Sequence, residues 1–480
     1  MLELSSVRKN KVNLADYNFQ LDIDSRILLS DFSLFDLDVI EEILFNPLKI
    51  SVKKLSRTLD CQESKLGPIL QKLSKVGLVQ VQDDTLLVDK ERRKYFEFQI
   101  SRFEEKFTPN MEFLQGHLKQ VPIHILPTWY AIPRSSNNIF ESIIEKYLLT
   151  PQIYQRYLME LNFTDPTMSG IMRDVFSSPE FRISSSDLIA KYNLARSDFE
   201  QIMLQLEFHF ACFVTYSRED DHWNEWVTPI HEWREYLLFL QTTETPVLQA
   251  TESICRHREN DFAFVEDIGT LLSLAKKKPF SIDRQQNNGS IPISTIRLLA
   301  PHCHILIDTP EKIAFAENYL SRVIDKLILI KLAEPVNGRL SPFDSADEWL
   351  EMNPENRALH LYRHSLNRLI NNTVAPNLCT ERNLREAEKS IKRVLHGGWV
   401  LFDDFIRGAV VSFNEGSTVV LKKNGKHWKY VLPQYNDDEK NLIKAAIFDS
   451  LFECGIVATG TINGQDCLAV TAFGQYFLEE

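Results

Sequence analysis

Residues 51–96 read SVKKLSRTLDCQESKLGPILQKLSKVGLVQVQDDTLLVDKERRKYF. The hydrophobic period of this stretch changes in a fixed order. Ser51 is a capping residue ahead of Val52–Leu59, which reads as a short helix. Leu66, Ile69, Leu70 and Leu73 then recur at i, i+3, i+4 and i+7, the spacing of one helix face. They place a longer helix over Glu63–Val76, and Pro68 implies that it starts just before the proline. Leu78–Val81 and Leu86–Val88 flank an Asp83-Asp84 turn and predict a hairpin. A charged helix opens at Lys90. Upstream, Ile40, Ile43 and Leu44 mark a first helix.

Helix, short helix, longer helix, hairpin, helix is the order of a winged helix, whose third helix usually enters a DNA groove. No repeat of fixed length is present, but the same order recurs. In residues 167–243, Met168, Ile171, Met172, Val175 and Phe176 mark helix one, and Ser184–Ser186 cap helix two. Phe199, Ile202, Met203 and Leu206 mark helix three, and Phe213–Tyr216 and Trp226–Thr228 form strands around Asp220-Asp221. In residues 263–370 the long helix carries Ala316, Tyr319, Leu320, Val323, Ile324 and Leu327. Its hairpin is Ile328–Leu332 and Arg339–Ser341 around Asn337-Gly338, a pair that tolerates positive φ. Residues 380–480 form a decorated copy, with hairpins at Asn424-Gly425 and Asn463-Gly464. In the last three copies a Thr or Ser ends the hairpin ahead of a helix bearing Trp233, Trp349 or Phe477. The fold class expected is mainly α with small β-hairpin wings (α+β), in tandem winged-helix modules. The divisions are an N-terminal segment 1–36, modules at 37–106, 167–243, 263–370 and 380–480, and a helical spacer at 107–166.

Composition bounds the function. The chain has 480 residues, 44% hydrophobic and 25% charged, in the range of folded globular proteins. Its net charge of -12 argues against a non-specific nucleic-acid coat, which would be basic. Seven scattered cysteines read as reduced thiols. Neither a signal peptide nor a run of about 18 apolar residues is visible, so no membrane association and a cytoplasmic location are expected.

Charge is not spread evenly. From Lys49 to Lys106 there are 13 Lys/Arg and 9 Asp/Glu, a balance of +4. The candidate DNA-binding residues lie here: Ser64, Lys65, Gln71, Lys72 and Lys75 on the third helix, Lys53 and Lys54 on the second, and Arg92 and Arg93 after the hairpin. An ordinary solvated basic face has the same composition. The third helix of the second module instead carries Asp198, Glu200 and Glu207, which would repel phosphate and suggest a protein partner. Trp223 and Trp226 either anchor such a partner or pack locally. His302-Cys303-His304, with Cys255 and His257, invites a metal reading. Neighbouring ligands on a strand point to opposite faces, however, so a core-edge strand is expected and no metal.

Two stretches resemble the region that accompanies XPB-like helicases of bacteria and archaea. In the first, Leu327-Ile328-Leu329-Ile330-Lys331-Leu332 leads through Asn337-Gly338 to Leu340-Ser341-Pro342. Glu348-Trp349-Leu350-Glu351 and the arginine-bearing segment Pro354 to Arg368 follow. In the second, Cys454-Gly455-Ile456-Val457 leads to Val470-Thr471, Gly474 and Phe477-Leu478. The resemblance covers about a third of the chain and rests on packing motifs, so it implies fold rather than chemistry. The motor is missing. No Gly-x-x-x-x-Gly-Lys-Ser/Thr loop exists, and the only Gly-Lys, Gly425-Lys426, lies in a predicted hairpin. Neither a Gly-x-Ser-x-Gly elbow nor a His-Glu-x-x-His pair occurs. The expectation is a non-enzymatic protein without cofactor. It would bind double-stranded DNA through its first module as a regulator or accessory factor in transcription or DNA repair. The alternative is a scaffold that docks a helicase or transcription-machinery protein, and an unrecognised enzyme stands third.

Overall fold

A computed structural model describes residues 17–122, 126, 129, 132–133, 135–161, 163–220, 222–282, 291–304, 310–364, 374–413, 419–425 and 427–479, with residues 310–315 given by backbone alone. The protein is mainly helical, with small antiparallel sheets. It divides into two compact units. The first runs to Phe239 and takes in Val420–Val431, and the second holds Leu240–Val419 and Leu432–Glu480.

The first unit opens with α1 (Phe19–Ser30) and α2 (Leu34–Phe45), followed by β1 (Lys49–Ser51), α3 (Val52–Thr58), α4 (Glu63–Lys75), β2 (Val79–Gln82), β3 (Thr85–Val88) and α5 (Lys90–Ile100). Residues 107–166 supply α6 (Met111–Lys119), α7 (Ile139–Ile143) and α8 (Pro151–Glu160). The succession then repeats as α9 (Pro166–Ser177), β4 (Ile183–Ser184), α10 (Ser185–Tyr192), α11 (Arg196–Phe208), β5 (Phe213–Glu219), β6 (His222–Thr228) and α12 (His231–Thr242). Strand order is β1-β3-β2 in one sheet and β4-β6-β5 in the other, so in both the short first strand pairs with the last.

The second unit carries β7 (Cys255–Arg256), α13 (Ala263–Lys277), α14 (Ile293–Leu299), α15 (Pro310–Leu329), β8 (Ala333–Val336), β9 (Arg339–Pro342), α16 (Ser345–Glu351) and α17 (Pro354–Arg363). A bridge from Ser281 to Arg339 stands where the short first strand stands in the first unit. Then come α18 (Glu381–Lys389), β10 (Val400–Leu401), α19 (Phe402–Gly408), α20 (Asp437–Ala445), β13 (Val457–Ile462), β14 (Gln465–Val470) and α21 (Ala472–Glu479); between α19 and α20 the chain supplies the first unit's hairpin, β11 (Val420–Asn424) and β12 (His427–Val431). Its sheet runs β10-β14-β13-β7. The same succession thus occurs four times, the last interrupted by β11 and β12.

Local chemistry accounts for these elements. Ser33 and Asp36 close a capping box on α2, and Asn436 and Glu439 do so on α20. Asn337-Gly338 and Asn463-Gly464 have positive φ at both residues, as tight hairpin turns require. Gly474 is a close approach: a Cβ there would lie 2.1 Å from the Ile456 carbonyl oxygen. The Gly474 amide donates to the Thr471 hydroxyl, so Thr471 caps α21. Thr228 does not cap α12, because its hydroxyl donates to the Phe181 carbonyl.

Several expectations are corrected. The helix α4 starts at Glu63 and runs through Pro68. Leu66 has to be helical to be buried, and the bond that Pro68 cannot donate belongs to the Ser64 carbonyl on the exposed face, where water can serve. Ile328 and Leu329 end α15 instead of starting a strand. Burial of Lys326 and Leu327 extends the helix, and Lys331 at φ 57 stops it. His302 ends a tight single turn, so it is not on a strand. The N-terminal segment holds a full helix, α1. Asp221, Lys426 and residues 365–370 lie outside the described residues.

The spacer braces the second module through its carbonyls. The chain just after α11 leaves carbonyl oxygens that need donors. Trp129 Nε1 donates to Phe208 O at 2.6 Å, Tyr157 OH donates to His209 O at 2.9 Å, and Tyr154 OH donates to Phe210 O. The β11–β12 hairpin does the same for the wide turn Ile144–Leu148. Tyr430 OH donates to Leu148 O and Leu421 N to Leu149 O, both at 2.8 Å. No helix among the described residues is long and apolar enough to cross a membrane. All seven cysteines are free thiols.

Glu232 on α12 gives the first unit a pH dependence. Burial pushes its carboxyl up to about 7, against which the Met111 N–H donates one bond at 3.0 Å. A raised carboxyl stabilises the fold below its unfolded value of 4.5, and that stability is lost as pH rises through about 7. Glu232→Gln keeps the acceptor and removes the titration. Its stability is expected to exceed that of the wild type by about 1–3 kcal/mol at pH 8, with a smaller gap at pH 5, in urea unfolding.

Candidate nucleic-acid interface

The third helix of each module decides what its surface can touch. On α4, Leu66, Ile69, Leu70 and Leu73 are buried in the first module's core with Ile40, Ile43, Leu55 and Phe96. That packing turns Ser64, Lys65, Gly67, Pro68, Gln71, Ser74 and Lys75 to solvent. Ser64, Gly67, Pro68, Gln71 and Lys75 fall on one stripe at helical spacing. A Cβ on Gly67 would meet nothing within 4 Å, so packing does not demand a glycine there. The stripe is narrow, with small residues at its middle.

The remaining basic candidates separate by their partners. Lys53 is exposed and pairs with Asp84 of the hairpin turn at 2.7 Å. Lys54 is exposed and donates to the Asn46 side chain at 3.1 Å. Lys72 is half-buried and pairs with Asp31 at 2.9 Å. Arg92 is committed to the fold. Its Nε donates to Val76 O at 3.0 Å, Nη2 donates to Ser25, and the guanidinium lies 4.5 Å from the Tyr95 ring centre. Burial lowers its pKa. Arg93 donates to Asn46 O at 2.8 Å and pairs with Glu97 at 2.7 Å. The positive charge facing solvent is therefore carried by Lys65 and Lys75, with Lys53 and Lys54 beside them on α3. Sequence reasoning passed over Arg57, exposed at the end of α3 and one turn beyond Lys53.

The second module differs. Glu200 and Glu207 do not face solvent; they are 1% and 0% exposed. Arg26 of α1 grips Glu207 with both Nη atoms, at 3.0 and 2.9 Å, and reaches Glu200 through Nε at 2.9 Å. Arg102, just after α5, also binds Glu207 with two bonds, at 2.7 and 2.8 Å. The Val214 N–H adds a fifth bond at 3.1 Å. Burial alone would raise the Glu207 carboxyl. Arg102 and Arg26 outweigh it and hold the group well below the usual carboxylate range. Only Ser197 and Asp198 of α11 are exposed. Trp223 is half-buried edge-on to Phe103, 5.1 Å between ring centres, against the core of the first module. Trp226 is half-buried too, donating to Ser217 at 2.8 Å under the Arg182 guanidinium.

In the second unit α15 packs against the wide helical turn that continues α20, Ala446–Leu451, and the residues just after it. Arg322 of α15 binds Asp449 at 2.6 Å and Glu453 at 2.9 Å, and Lys326 lies 3.2 Å from Glu453. No residue from Tyr319 to Ile330 is exposed. On α20 the exposed Lys440 and Lys444 pair with Asp437 and Asp466. Cys255 and His257 sit by β7, where His257 Nδ1 lies 2.9 Å from the Thr459 hydroxyl. His304 Nδ1 lies 2.8 Å from Asp267. These contacts are protein to protein.

Glu207→Gln should leave the buried Arg102 without its counter-charge and Arg26 with Glu200 alone. It is expected to destabilise the first unit by about 3–5 kcal/mol in urea unfolding at pH 7. Because the Glu207 pKa is depressed, the wild type keeps this stability above pH 4.5 and loses it as pH falls through the lower folded value. The deficit of the variant should therefore shrink in acid. No protein-family model matches the chain, and no curated protein matches it.

Proposed function

We propose that this chain is a non-enzymatic protein of four tandem winged-helix modules that binds double-stranded DNA through the first. Its role would be that of a regulator or accessory factor in transcription or DNA repair. The fourfold succession of helices with its first-third-second strand order supports the winged-helix reading. One observation carries the DNA assignment. Lys65 and Lys75 are exposed on α4, with no ion pair to either among the described residues, whereas only Ser197 and Asp198 of α11 are exposed and no residue from Tyr319 to Ile330 of α15 is.

The stripe suits a major groove. Lys65 and Lys75 would sit on phosphates, and Ser64 and Gln71 would meet base edges. Gly67 and Pro68 would let the backbone come close. The acidic remainder of the molecule limits binding to this one face, since like charge keeps other surfaces off phosphate.

Fluorescence anisotropy of the full chain on random-sequence duplex tests the proposal. Lys65→Glu with Lys75→Glu is expected to weaken binding by at least about tenfold and to flatten the salt slope by about two. Lys72→Ala should cost less, because Asp31 already holds that ammonium. Gln71→Ala should leave affinity for random duplex nearly unchanged and broaden the sequences selected from a pool. Absence of duplex binding at about 50 mM salt would contradict the assignment.

A further inference from the structure

A cavity of about 330 Å³ opens in the second unit beside the junction of α15 with the turn that continues α20. That volume is in the range of small-molecule sites. Phe264, Tyr319, Phe448 and Phe452 line one part of it, and the ion-paired Arg322, Asp449, Glu453 and Asp466 line another. Exposed His304, Asn318 and Lys444 stand at its rim.

The floor holds Arg258, whose position follows from the strand before it. Gly460 of β13 has no Cβ, and one would lie 2.8 Å from the Cys255 carbonyl oxygen, so β7 can pair closely there. His257 N donates to Thr459 O at 2.9 Å and ends the pairing. The next residue, Arg258, turns inward and is 9% exposed. Its guanidinium lies over the Phe452 ring at 3.3 Å, and Nη2 donates to Phe452 O at 3.0 Å. Nε and Nη1 have no hydrogen-bond partner among the described residues.

A buried guanidinium stays charged and needs an anion. The nearby carboxylates are engaged elsewhere. Asp449 and Glu453 face Arg322, Asp466 faces Lys444 at 2.5 Å, and Asp267 accepts from Tyr319 at 2.6 Å and faces His304. Those same carboxylates would repel a dianion such as phosphate. Aromatic side chains beside a guanidinium with two N–H-bearing atoms unpartnered among the described residues fit a flat apolar body with a single negative charge.

We propose that this cavity binds a small aromatic carboxylate, its ring among Phe264, Phe448 and Phe452 and its charge on Arg258. The site is separate from α4 and does not depend on DNA binding. Isothermal titration of the full chain with 2-naphthoate tests it, with 2-naphthalenemethanol as the neutral analogue and inorganic phosphate as the head group alone. Binding of one 2-naphthoate per chain is expected, with both controls at least about tenfold weaker. Arg258→Met should weaken 2-naphthoate by at least about tenfold while retaining the stack on Phe452. Phe448→Trp, which keeps Arg258 and fills the cavity, should weaken it comparably and decides the matter if the methionine variant fails to fold. The proposal is overturned if 2-naphthoate does not bind below about 1 mM, if the alcohol or phosphate binds as well, or if a folded variant binds like the wild type.

Discussion

Glu207 accepts two bonds from Arg26, two from Arg102 and one from the Val214 amide, with no contact with water. A lone carboxylate could not stay charged in that position, and without it Arg102 would be buried with no counter-charge and Arg26 with Glu200 alone. Each depends on the others, so α1, the end of α5 and α11 have to be held together at one geometry. The aromatic packing of Phe103 on Tyr216 and Trp223 follows from that arrangement. The helix α11 is an internal strut, with only Ser197 and Asp198 exposed.

The second unit makes a similar choice with different residues. Arg322 and Lys326 face Asp449 and Glu453, again across two modules. A buried ion pair adds little net stability over well-packed apolar residues, but it penalises every misaligned register. Such pairs suit a chain that must match similar modules to the right neighbours. Packing of this kind encloses most of α11 and residues Tyr319–Ile330 of α15, whereas α4 keeps Ser64, Lys65, Gln71 and Lys75 exposed.

Much of this was legible in the sequence. The i, i+3, i+4, i+7 spacing of Leu66, Ile69, Leu70 and Leu73 gave the inward face of α4, and with it the outward one. Asn337-Gly338 and Asn463-Gly464 marked their turns because few other pairs tolerate two positive φ values. The start of α4 was misread because Pro68 looks like a boundary, and only its exposure explains its tolerance. Glu200 and Glu207 were read as solvated because nothing within α11 announces their partners. Arg26 and Arg102 lie more than a hundred residues away along the chain, at separations of 174, 181 and 105. Arg92 and Arg93 were counted as DNA ligands by composition, yet their bonds run to Val76 and Asn46 carbonyls. Arg258 carried no local signal, since the Phe452 carbonyl to which it donates is 194 residues distant. Periodicity reports which way a side chain faces on its own helix, and it is silent about what arrives from elsewhere.

The central claim is that the first module alone presents its third helix to DNA. Hydrogen–deuterium exchange on the full chain, with and without saturating duplex at low salt, tests it most directly. The account predicts slowed exchange in peptides covering α3 and α4, residues 52–58 and 63–75, with α11 and α15 already slow and unchanged by DNA. Protection that appears in α11, α15 or α20 while α4 stays unchanged would contradict it.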